Sequence, residues 1–304
     1  MLEEIALGSC RICPRNCGVD RLKGEKGACR SGAQLKISSI GPHFGEEPMI
    51  SGTKGSGTVF FSNCNLKCLF CQNYQISQEG LGHRMSEEDL AAKMIELQIA
   101  GCHNINLVSP THFIPQIIKT VLIAKEKGLK IPIVYNSNGY ESVDSLRSLK
   151  GLIDIYLPDI KYSDDENAFK FSGIKRYVAA NRAAIAEMFG QVGNLILDDS
   201  GIATRGLLVR HLVLPDDIAE SRGSLTYLAS LSKKLWISIM SQYHPCHKAV
   251  NHDRLGRKLR IDEYKTVLDT ALELGFDNLL TQEMDSSDVL LPDFERANPF
   301  SGRV

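Results

Sequence analysis

Three cysteines fall within eight residues of this chain, in the run Cys64-Asn-Leu-Lys-Cys68-Leu-Phe-Cys71. The window is too short for a helix or a strand to absorb all three thiols, so it reads as a loop. The apolar run before it, from Thr58 to Ser62, predicts a strand. The thiols therefore lie on a loop that leaves a strand, at the close spacing that is typical of metal sites. We predict that they bind an iron–sulfur cluster of the cubane [4Fe-4S] type.

The missing fourth cysteine of this motif is informative. The four irons of a cubane need four ligands from outside the cluster, and Cys64, Cys68 and Cys71 supply three. A cluster that only transfers electrons has four cysteine ligands. The open iron can bind a small bidentate ligand and pass it an electron, so the motif predicts chemistry at the cluster.

The composition of the chain indicates the cellular compartment in which its nine cysteines function. The chain has 304 residues, 43% apolar and 23% charged, with a formal net charge of −1, so it shows no basic excess for nucleic acid. The segment from Met1 to Gly8 lacks the basic region of a secretory signal. No apolar run approaches the roughly 20 residues that span a bilayer. We expect a cytoplasmic protein that binds neither nucleic acid nor membrane and whose cysteines serve metal sites.

A second group of cysteines lies near the amino terminus: Cys10, Cys13, Cys17 and Cys29. Four thiolates in twenty residues can close a tetrahedral shell, and so short a glycine-rich segment needs such a staple to fold. Zinc suits a closed site with short loops and is slightly favoured, while an auxiliary iron–sulfur cluster suits the same thiolates. Free thiols without metal are the remaining alternative. The role of this four-cysteine segment would be to dock a partner protein, to relay electrons, or only to hold the local fold together.

From Thr58 onward, strands and helices alternate in six units. A capping box at Ser86-Glu-Glu-Asp89 starts the first long helix, and Gly173 breaks a later one. The alternation predicts a parallel sheet, closed or half closed, with helices outside. Patterning does not separate a partial barrel from a doubly wound open sheet, but both place the chemistry at the carboxyl ends of the strands.

The chain divides into three regions by composition. Residues 1–54 form the cysteine-rich segment and a connecting loop, and the glycines and prolines between His43 and Gly57 argue against regular structure there. Residues 55–282 form the strand–helix domain. Residues 283–304 form a tail that we expect to be loosely packed.

The motif C-x3-C-x2-C, with an aromatic residue before its last cysteine and a strand before it, is similar to that of radical SAM enzymes. The run from Cys64 to Asn73 resembles the glycyl-radical-enzyme activases, such as the pyruvate formate-lyase activating enzyme. The longer run from Phe44 to Asn73 resembles their PflX-like homologues still more closely. Further runs share the resemblance: Leu97–Leu107, Ile133–Asn136, Ile155–Lys161, Arg210–Pro215 and Ser241–Tyr243.

This resemblance implies a fold and a function. The fold would be α/β, a partial (β/α)6 TIM-type barrel of parallel strands with a small N-terminal cysteine-rich metal-binding segment. S-adenosylmethionine would chelate the open iron, and one electron from the [4Fe-4S] cluster would cleave it to a 5′-deoxyadenosyl radical that abstracts a hydrogen atom. The electron donor would be a flavodoxin or ferredoxin, and the substrate a glycyl residue of a partner glycyl radical enzyme. The alternatives are a radical epimerase or other small-molecule radical enzyme, and a non-catalytic iron–sulfur or zinc scaffold.

The resemblance also implies residues that contact S-adenosylmethionine. Phe70 matches the aromatic residue whose backbone lies near the adenine, and Asn73 matches an asparagine of the cluster loop. Asn138 matches an Asn-Gly element after the third strand. Asp159 and Lys161 match an Asp-x-Lys pair at the end of the fourth strand. Because these two are two residues apart, they point to one face and can hold ribose hydroxyls and the methionine carboxylate; the alternative is an ordinary surface ion pair.

Two positions are less well defined. Many radical SAM enzymes have a Gly-Gly-Glu element after the second strand, and this chain has Ser109-Pro-Thr-His112 instead. Thr111 or neutral His112 would then accept a hydrogen bond from the methionyl amine, or His112 caps the next helix. Cys246 follows the sixth strand on the expected active-site side. It is our candidate hydrogen-atom donor, against the alternative of an inert small side chain; the sequence names no other catalytic residue.

Overall fold

The computed structural model describes residues 6–286, 291–296 and 298–300. Its strands are β1 (Leu35–His43), β2 (Ser56–Phe61), β3 (His83–Met85), β4 (Ile105–Val108), β5 (Ile133–Ser137), β6 (Ile155–Pro158), β7 (Ile196–Leu197), β8 (Ala203–Leu212), β9 (Trp236–Met240) and β10 (Asn278–Thr281). Its helices are α1 (Pro48–Ser51), α2 (Tyr74–Ser77), α3 (Glu87–Ile99), α4 (Ile114–Glu126), α5 (Val143–Arg147), α6 (Asp165–Ser172), α7 (Tyr177–Val192), α8 (Ser221–Leu231) and α9 (Ile261–Glu273). Short 3₁₀ turns occupy Thr111–Phe113, Pro215–Asp217 and His247–Ala249.

The sheet is mostly parallel and open, in the order β10-β9-β8-β6-β5-β4-β2-β1-β3 with β7 beside β8. Strands β2, β4, β5, β6, β8, β9 and β10 pair in parallel. This arrangement confirms the predicted α/β fold with a mostly parallel sheet. Because the two end strands do not pair with each other, the parallel strands form an open sheet whose carboxyl ends share one rim.

Local sequence signals place several helix ends correctly. Ser86 Oγ accepts a hydrogen bond from the Asp89 backbone nitrogen at 3.0 Å, which confirms the predicted start of α3 and the first half of its capping box, while the Asp89 carboxylate accepts from the Ser86 hydroxyl at 2.7 Å. Gly173 adopts a left-handed conformation with φ 63° and ends α6, so the predicted break is also confirmed.

The region before β2 is more regular than predicted. Strand β1 pairs antiparallel with β2 along most of its length and with β3 at Leu35–Ile37. Pro42 is tolerated because it lies beyond the β3 pairing, where no strand among the described residues pairs with the second side of β1. Helix α1 also forms within the predicted loop, with Pro48 in its first turn.

The N-terminal segment and the tail pack on the domain. Leu7 and Ile12 are 1% and 4% exposed and join the main core. In the tail, Phe294 is 6% exposed and packs with Phe300 against Phe60 of β2. This part of the tail is therefore not loosely packed as expected, because its aromatic side chains bury apolar area. None of the helices in the described ranges is long and apolar enough to cross a membrane.

Candidate active site at the carboxyl ends of the strands

A cavity of about 300 Å³ opens at the rim where the parallel strands end. It gathers side chains that are far apart in the chain. All three motif cysteines line it, together with five of the residues carried over from the resemblance: Phe70, Asn73, Asn138, Asp159 and Lys161.

The cluster loop is held in place by its neighbours. Asn63 begins it in a left-handed conformation, with φ 72°, which turns the chain out of β2. The backbone nitrogens of Lys67 and Leu69 donate to the carbonyls of Ser172 and Phe171 at 2.9 Å, so the loop is fastened to the end of α6. The positions of the thiols are thus fixed by main-chain bonds.

Each thiol of the loop receives polar contacts. The Leu66 nitrogen and Asn138 Nδ2 both donate to Cys64 Sγ at 3.4 Å. Ser172 Oγ donates to Cys68 Sγ at 3.0 Å, and Ser77 Oγ lies 3.2 Å from Cys71 Sγ. Donors aimed at sulfur favour the thiolate form that a metal ligand requires.

Burial opposes this ionisation in the protein alone. It raises the pKa of the Cys64 and Cys68 thiols to about 11, despite the donors around them. A bound metal centre supplies the positive charge that deprotonates coordinating thiols. Two buried thiols and a half-buried third, each with a polar contact and all on one cavity, therefore fit a [4Fe-4S] cluster.

The predicted Asp-x-Lys pair is part of a buried ion network. Lys161 Nζ lies 2.6 Å from Asp159 Oδ2, and Arg210 Nε lies 3.1 Å from Asp159 Oδ1. Burial opposes the charge of Asp159, but Lys161 and Arg210 outweigh it and hold the pKa of that carboxyl below its usual range. An ordinary surface ion pair is excluded, because the side chains of Asp159 and Lys161 are only 13% and 15% exposed.

Sequence reasoning missed three charged residues of this cavity: Glu46, Glu47 and Arg210. Glu46 Oε2 pairs with Arg210 Nη1 at 3.2 Å, and its other oxygen accepts from Asn106 Nδ2 at 2.9 Å. Burial raises the pKa of both glutamates. Glu47 Oε2 is buried without a hydrogen-bond partner. The sequence did carry a signal for them, because all three residues lie within runs that resemble the activases: Phe44–Asn73 and Arg210–Pro215.

The segment after β4 differs from what we expected. Ser109 lines the cavity and has φ 58°, a conformation that favours glycine. Thr111 Oγ1 instead donates to buried Glu141 at 2.6 Å, and His112 Nε2 lies 2.9 Å from the Ser62 carbonyl. His112 lines the cavity of the N-terminal cysteines and not the one at the rim. Neither Thr111 nor His112 lines the cavity at the rim.

Cys246 lies behind the cluster loop. Its Sγ donates to the Phe70 carbonyl at 3.4 Å, and it does not line the cavity at the rim. Burial raises the pKa of its thiol to about 12, with a smaller contribution from Cys71. The structure therefore does not present this thiol to a substrate in the cavity.

The N-terminal cysteines share a site of their own. Cys10, Cys13, Cys17 and Cys29 line a second cavity, of about 10 Å³. Burial raises the pKa of the Cys13 thiol to about 12, although the Arg15 backbone and the Asn65 side chain donate hydrogen bonds to it. Within the described ranges, no three His, Cys, Asp or Glu side chains converge closely enough to hold a single metal ion.

Comparison with known proteins identifies the domain around the first cavity. Residues 58–196 match the model of the Radical SAM superfamily. An uncharacterised protein of Methanocaldococcus jannaschii is 28% identical over 278 residues, which cover 88% of this chain and 76% of that protein. The pyruvate formate-lyase-activating enzyme of Clostridium pasteurianum is 23% identical over 196 residues, covering 62% of this chain and 73% of the enzyme.

A solved structure shares the fold. The crystal structure of Streptococcus suis SuiB bound to S-adenosylmethionine has a TM-score of 0.54 to this chain at 12% identity. The likeness covers 74% of this chain and 50% of SuiB, so the chain spans half the length of that protein. The superfamily match contains the cluster loop, Asn138, Asp159 and Lys161. Residues 58–196 of this chain are therefore similar to the Radical SAM superfamily.

Proposed function

We propose that this chain is a radical SAM oxidoreductase whose Cys64, Cys68 and Cys71 hold a [4Fe-4S] cluster with one open iron. The observation that carries the proposal is that these three thiols share one cavity with the Asp159–Lys161 pair. When bound, the cluster and S-adenosylmethionine supply a 5′-deoxyadenosyl radical that abstracts a hydrogen atom from the substrate.

The cavity residues of this chain bind and orient the cofactor. Lys161 offers an ammonium to the methionine carboxylate, while Asp159, kept ionised by its neighbours, accepts from hydroxyls. Asn138 fixes the first thiol through its donor at 3.4 Å. Phe70 and Asn73 form the wall beside the last cysteine.

Anaerobic reconstitution tests this proposal. We expect the reconstituted protein with dithionite and S-adenosylmethionine to form 5′-deoxyadenosine and methionine, and Cys64→Ala to form neither. Cys102→Ala is the matched control, because Cys102 is a buried core thiol away from the cavity. Equal product from Cys64→Ala and the parent overturns the role of Cys64, and no product from the parent leaves the non-catalytic scaffold.

We further propose that the substrate is a glycyl residue of a partner protein. The likeness to the Clostridium pasteurianum activating enzyme supports this substrate. The position of Cys246 away from the cavity speaks against a radical epimerase that uses this thiol. A flavodoxin or ferredoxin in the cytoplasm is the proposed electron donor, and the N-terminal cysteines are proposed to hold a second metal centre.

Deuterium transfer separates protein from small-molecule substrates. An extract of the source cells grown on α,α-dideuterated glycine is divided by gel filtration into proteins and small molecules. We expect deuterium in 5′-deoxyadenosine with the protein fraction, together with a glycyl radical signal in electron paramagnetic resonance (EPR). Deuterium only with the small-molecule fraction contradicts the activase proposal. Cys246→Ser then tests the epimerase alternative through solvent deuterium uptake into product.

A further inference from the structure

Glu47 is a buried carboxylate with a free oxygen atom. The residue lines the cavity at the rim and is only 8% exposed. Its Oε2 atom has no hydrogen-bond partner among the described residues. Glu47 directly precedes α1, but its side chain makes no capping bond to that helix. A buried oxygen that is left unpaired lowers stability, so this carboxylate does not serve to hold the fold together.

The carboxylate next to it in the chain is fully engaged. Glu46 Oε2 pairs with Arg210 Nη1 at 3.2 Å, and its other oxygen accepts from a strand amide at 2.9 Å. The other hydrogen bonds of Arg210 within the described ranges go to Asp159 and Asn136. The guanidinium of Arg210 is therefore directed at groups other than Glu47.

The cavity carries one carboxylate more than it carries cations. Apart from the thiols, the described lining residues with a formal charge are three carboxylates, Glu46, Glu47 and Asp159, and two cations, Lys161 and Arg210. Lys161 pairs with Asp159 at 2.6 Å, and Arg210 pairs with Glu46. Glu47 is the carboxylate that remains. A cation that arrives with a ligand stabilises such a buried group by pairing with it.

Glu47 belongs to a deeper layer of the cavity than the proposed cofactor contacts. Those contacts all follow the ends of strands: Phe70, Asn73, Asn138, Asp159 and Lys161. Glu46, beside Glu47, instead contacts residues within strands, namely Asn106 of β4, Asn136 of β5 and Arg210 of β8. We call Glu46, Glu47 and Arg210 the floor of the cavity. A group bound at the floor lies beyond the rim, on the side where a substrate has room.

A long cationic side chain suits this arrangement. Lysine and arginine carry their charge at the end of a flexible apolar stem. The stem can pass the apolar part of the lining, which includes Leu66, Val108, Leu212 and Met240. The cavity of about 300 Å³ leaves the peptide backbone at the rim while the charge reaches the floor. Ammonium and guanidinium groups both form charge-assisted hydrogen bonds with a carboxylate.

We propose that Glu47 binds the cationic side chain of a lysine or arginine that lies close to the reacting glycyl residue of the partner protein. This inference rests on the proposed function and adds a requirement on the substrate, a positive charge beside the glycine. Glu47 determines specificity in this arrangement and takes no part in the transfer of hydrogen. The free amine of a small molecule offers the same ammonium, and the experiments separate these two sources.

Binding of short peptides tests the charge requirement. The probes are acetyl-glycyl-arginine amide and its neutral analogue acetyl-glycyl-citrulline amide. Calorimetry is performed on the reconstituted protein with S-adenosylmethionine and without reductant, so that no turnover occurs. We expect the arginine peptide to bind roughly tenfold more tightly than the citrulline peptide, and Glu47→Gln to lose this preference. Glu126→Gln, which changes an exposed carboxylate at the end of α4, is the matched control and should keep it.

The possible outcomes of the binding experiment are distinct. Equal affinity for the two peptides, no measurable binding of either, or a preference that survives in Glu47→Gln overturns the inference. Glycinamide and acetylglycinamide form the second pair of probes and represent a small-molecule amine. A preference for glycinamide that depends on Glu47, without one for the arginine peptide, overturns the assignment to a protein side chain.

Deuterium transfer separates a substrate role of Glu47 from a cofactor role. With the protein fraction from cells grown on dideuterated glycine, we expect the deuterated share of 5′-deoxyadenosine to fall roughly tenfold in Glu47→Gln. If 5′-deoxyadenosine formed without substrate falls by the same factor, Glu47 serves the cofactor and the inference is overturned. If the parent forms 5′-deoxyadenosine but the peptides show no charge preference, the radical SAM proposal stands and this inference fails.

Thermal unfolding of the reconstituted protein compares the two adjacent carboxylates. Glu46→Gln removes the charge that faces Arg210, so we expect its melting temperature to fall by roughly 2–4 °C. Glu47→Gln removes a charge that has no partner at its Oε2 atom, and we expect no fall. A fall in Glu47→Gln as large as that in Glu46→Gln means that the fold uses the Glu47 charge, and this result overturns the inference.

Discussion

At the scale of single residues, Gly139, which follows the cavity residue Asn138, has no room for a side chain. A Cβ atom at this position would lie 2.2 Å from the Asp159 carbonyl oxygen, and φ is 73°. Gly151 has a similar φ of 81° with nothing within 4 Å of its Cβ position. Comparing alanine at the two positions therefore separates backbone strain from steric overlap.

We expect Gly151→Ala to lower the free energy of unfolding by about 1 kcal/mol, the cost of a left-handed conformation for alanine. Gly139→Ala is expected to cost about 3 kcal/mol, because the overlap with backbone adds to the same strain. Equilibrium urea denaturation of both variants measures the difference. If both variants lose the same free energy of unfolding, the Asp159 carbonyl moves aside without an energetic penalty.

At the scale of secondary structure, α3 depends on its first turn. Ser86 Oγ accepts from the Asp89 nitrogen, whereas Ser142, at the start of α5, makes no such side-chain bond. We expect Ser86→Ala to destabilise the protein by about 1 kcal/mol and Ser142→Ala by a few tenths. Thermal unfolding of the pair checks this, and a larger loss from Ser142→Ala would contradict the assignment of the cap.

The same scale explains what the sequence could predict. The cluster loop and the Asp159–Lys161 pair were predictable, because each lies in one short run at the end of a strand. Glu46 and Arg210 were not, because their contact joins residues 164 positions apart. His112 was misplaced because the 3₁₀ turn at Thr111–Phe113 directs its ring toward the Ser62 carbonyl. Periodicity gives strands and helices, but it does not give the direction of a side chain after a turn.

At the scale of the whole molecule, the described part of the tail, residues 291–296 and 298–300, packs near one edge of the open sheet. It follows β10, at the opposite edge, and packs on β1 and β2. The Phe300 ring packs against His43 at a tilt of 42°, with ring centroids 4.1 Å apart, and lines the cavity. The Phe294 nitrogen donates to Gln75 Oε1 at 2.8 Å, which ties the tail to α2 just after the cluster loop. Phe300 thus forms part of the cavity wall, and the contacts of Phe294 hold this part of the tail in place.

Detaching the tail should therefore expose the cluster to solvent and oxygen. Phe294→Ala removes the buried ring that packs on Phe60, a change of the kind that costs about 3–5 kcal/mol in a core. We expect the visible absorbance of the reconstituted protein to bleach several-fold faster in air. Phe169→Ala, which removes a half-exposed phenylalanine on α6, is the matched control and should bleach at the parent rate. If Phe294→Ala bleaches no faster than Phe169→Ala, the fold around the thiols protects the cluster without the tail.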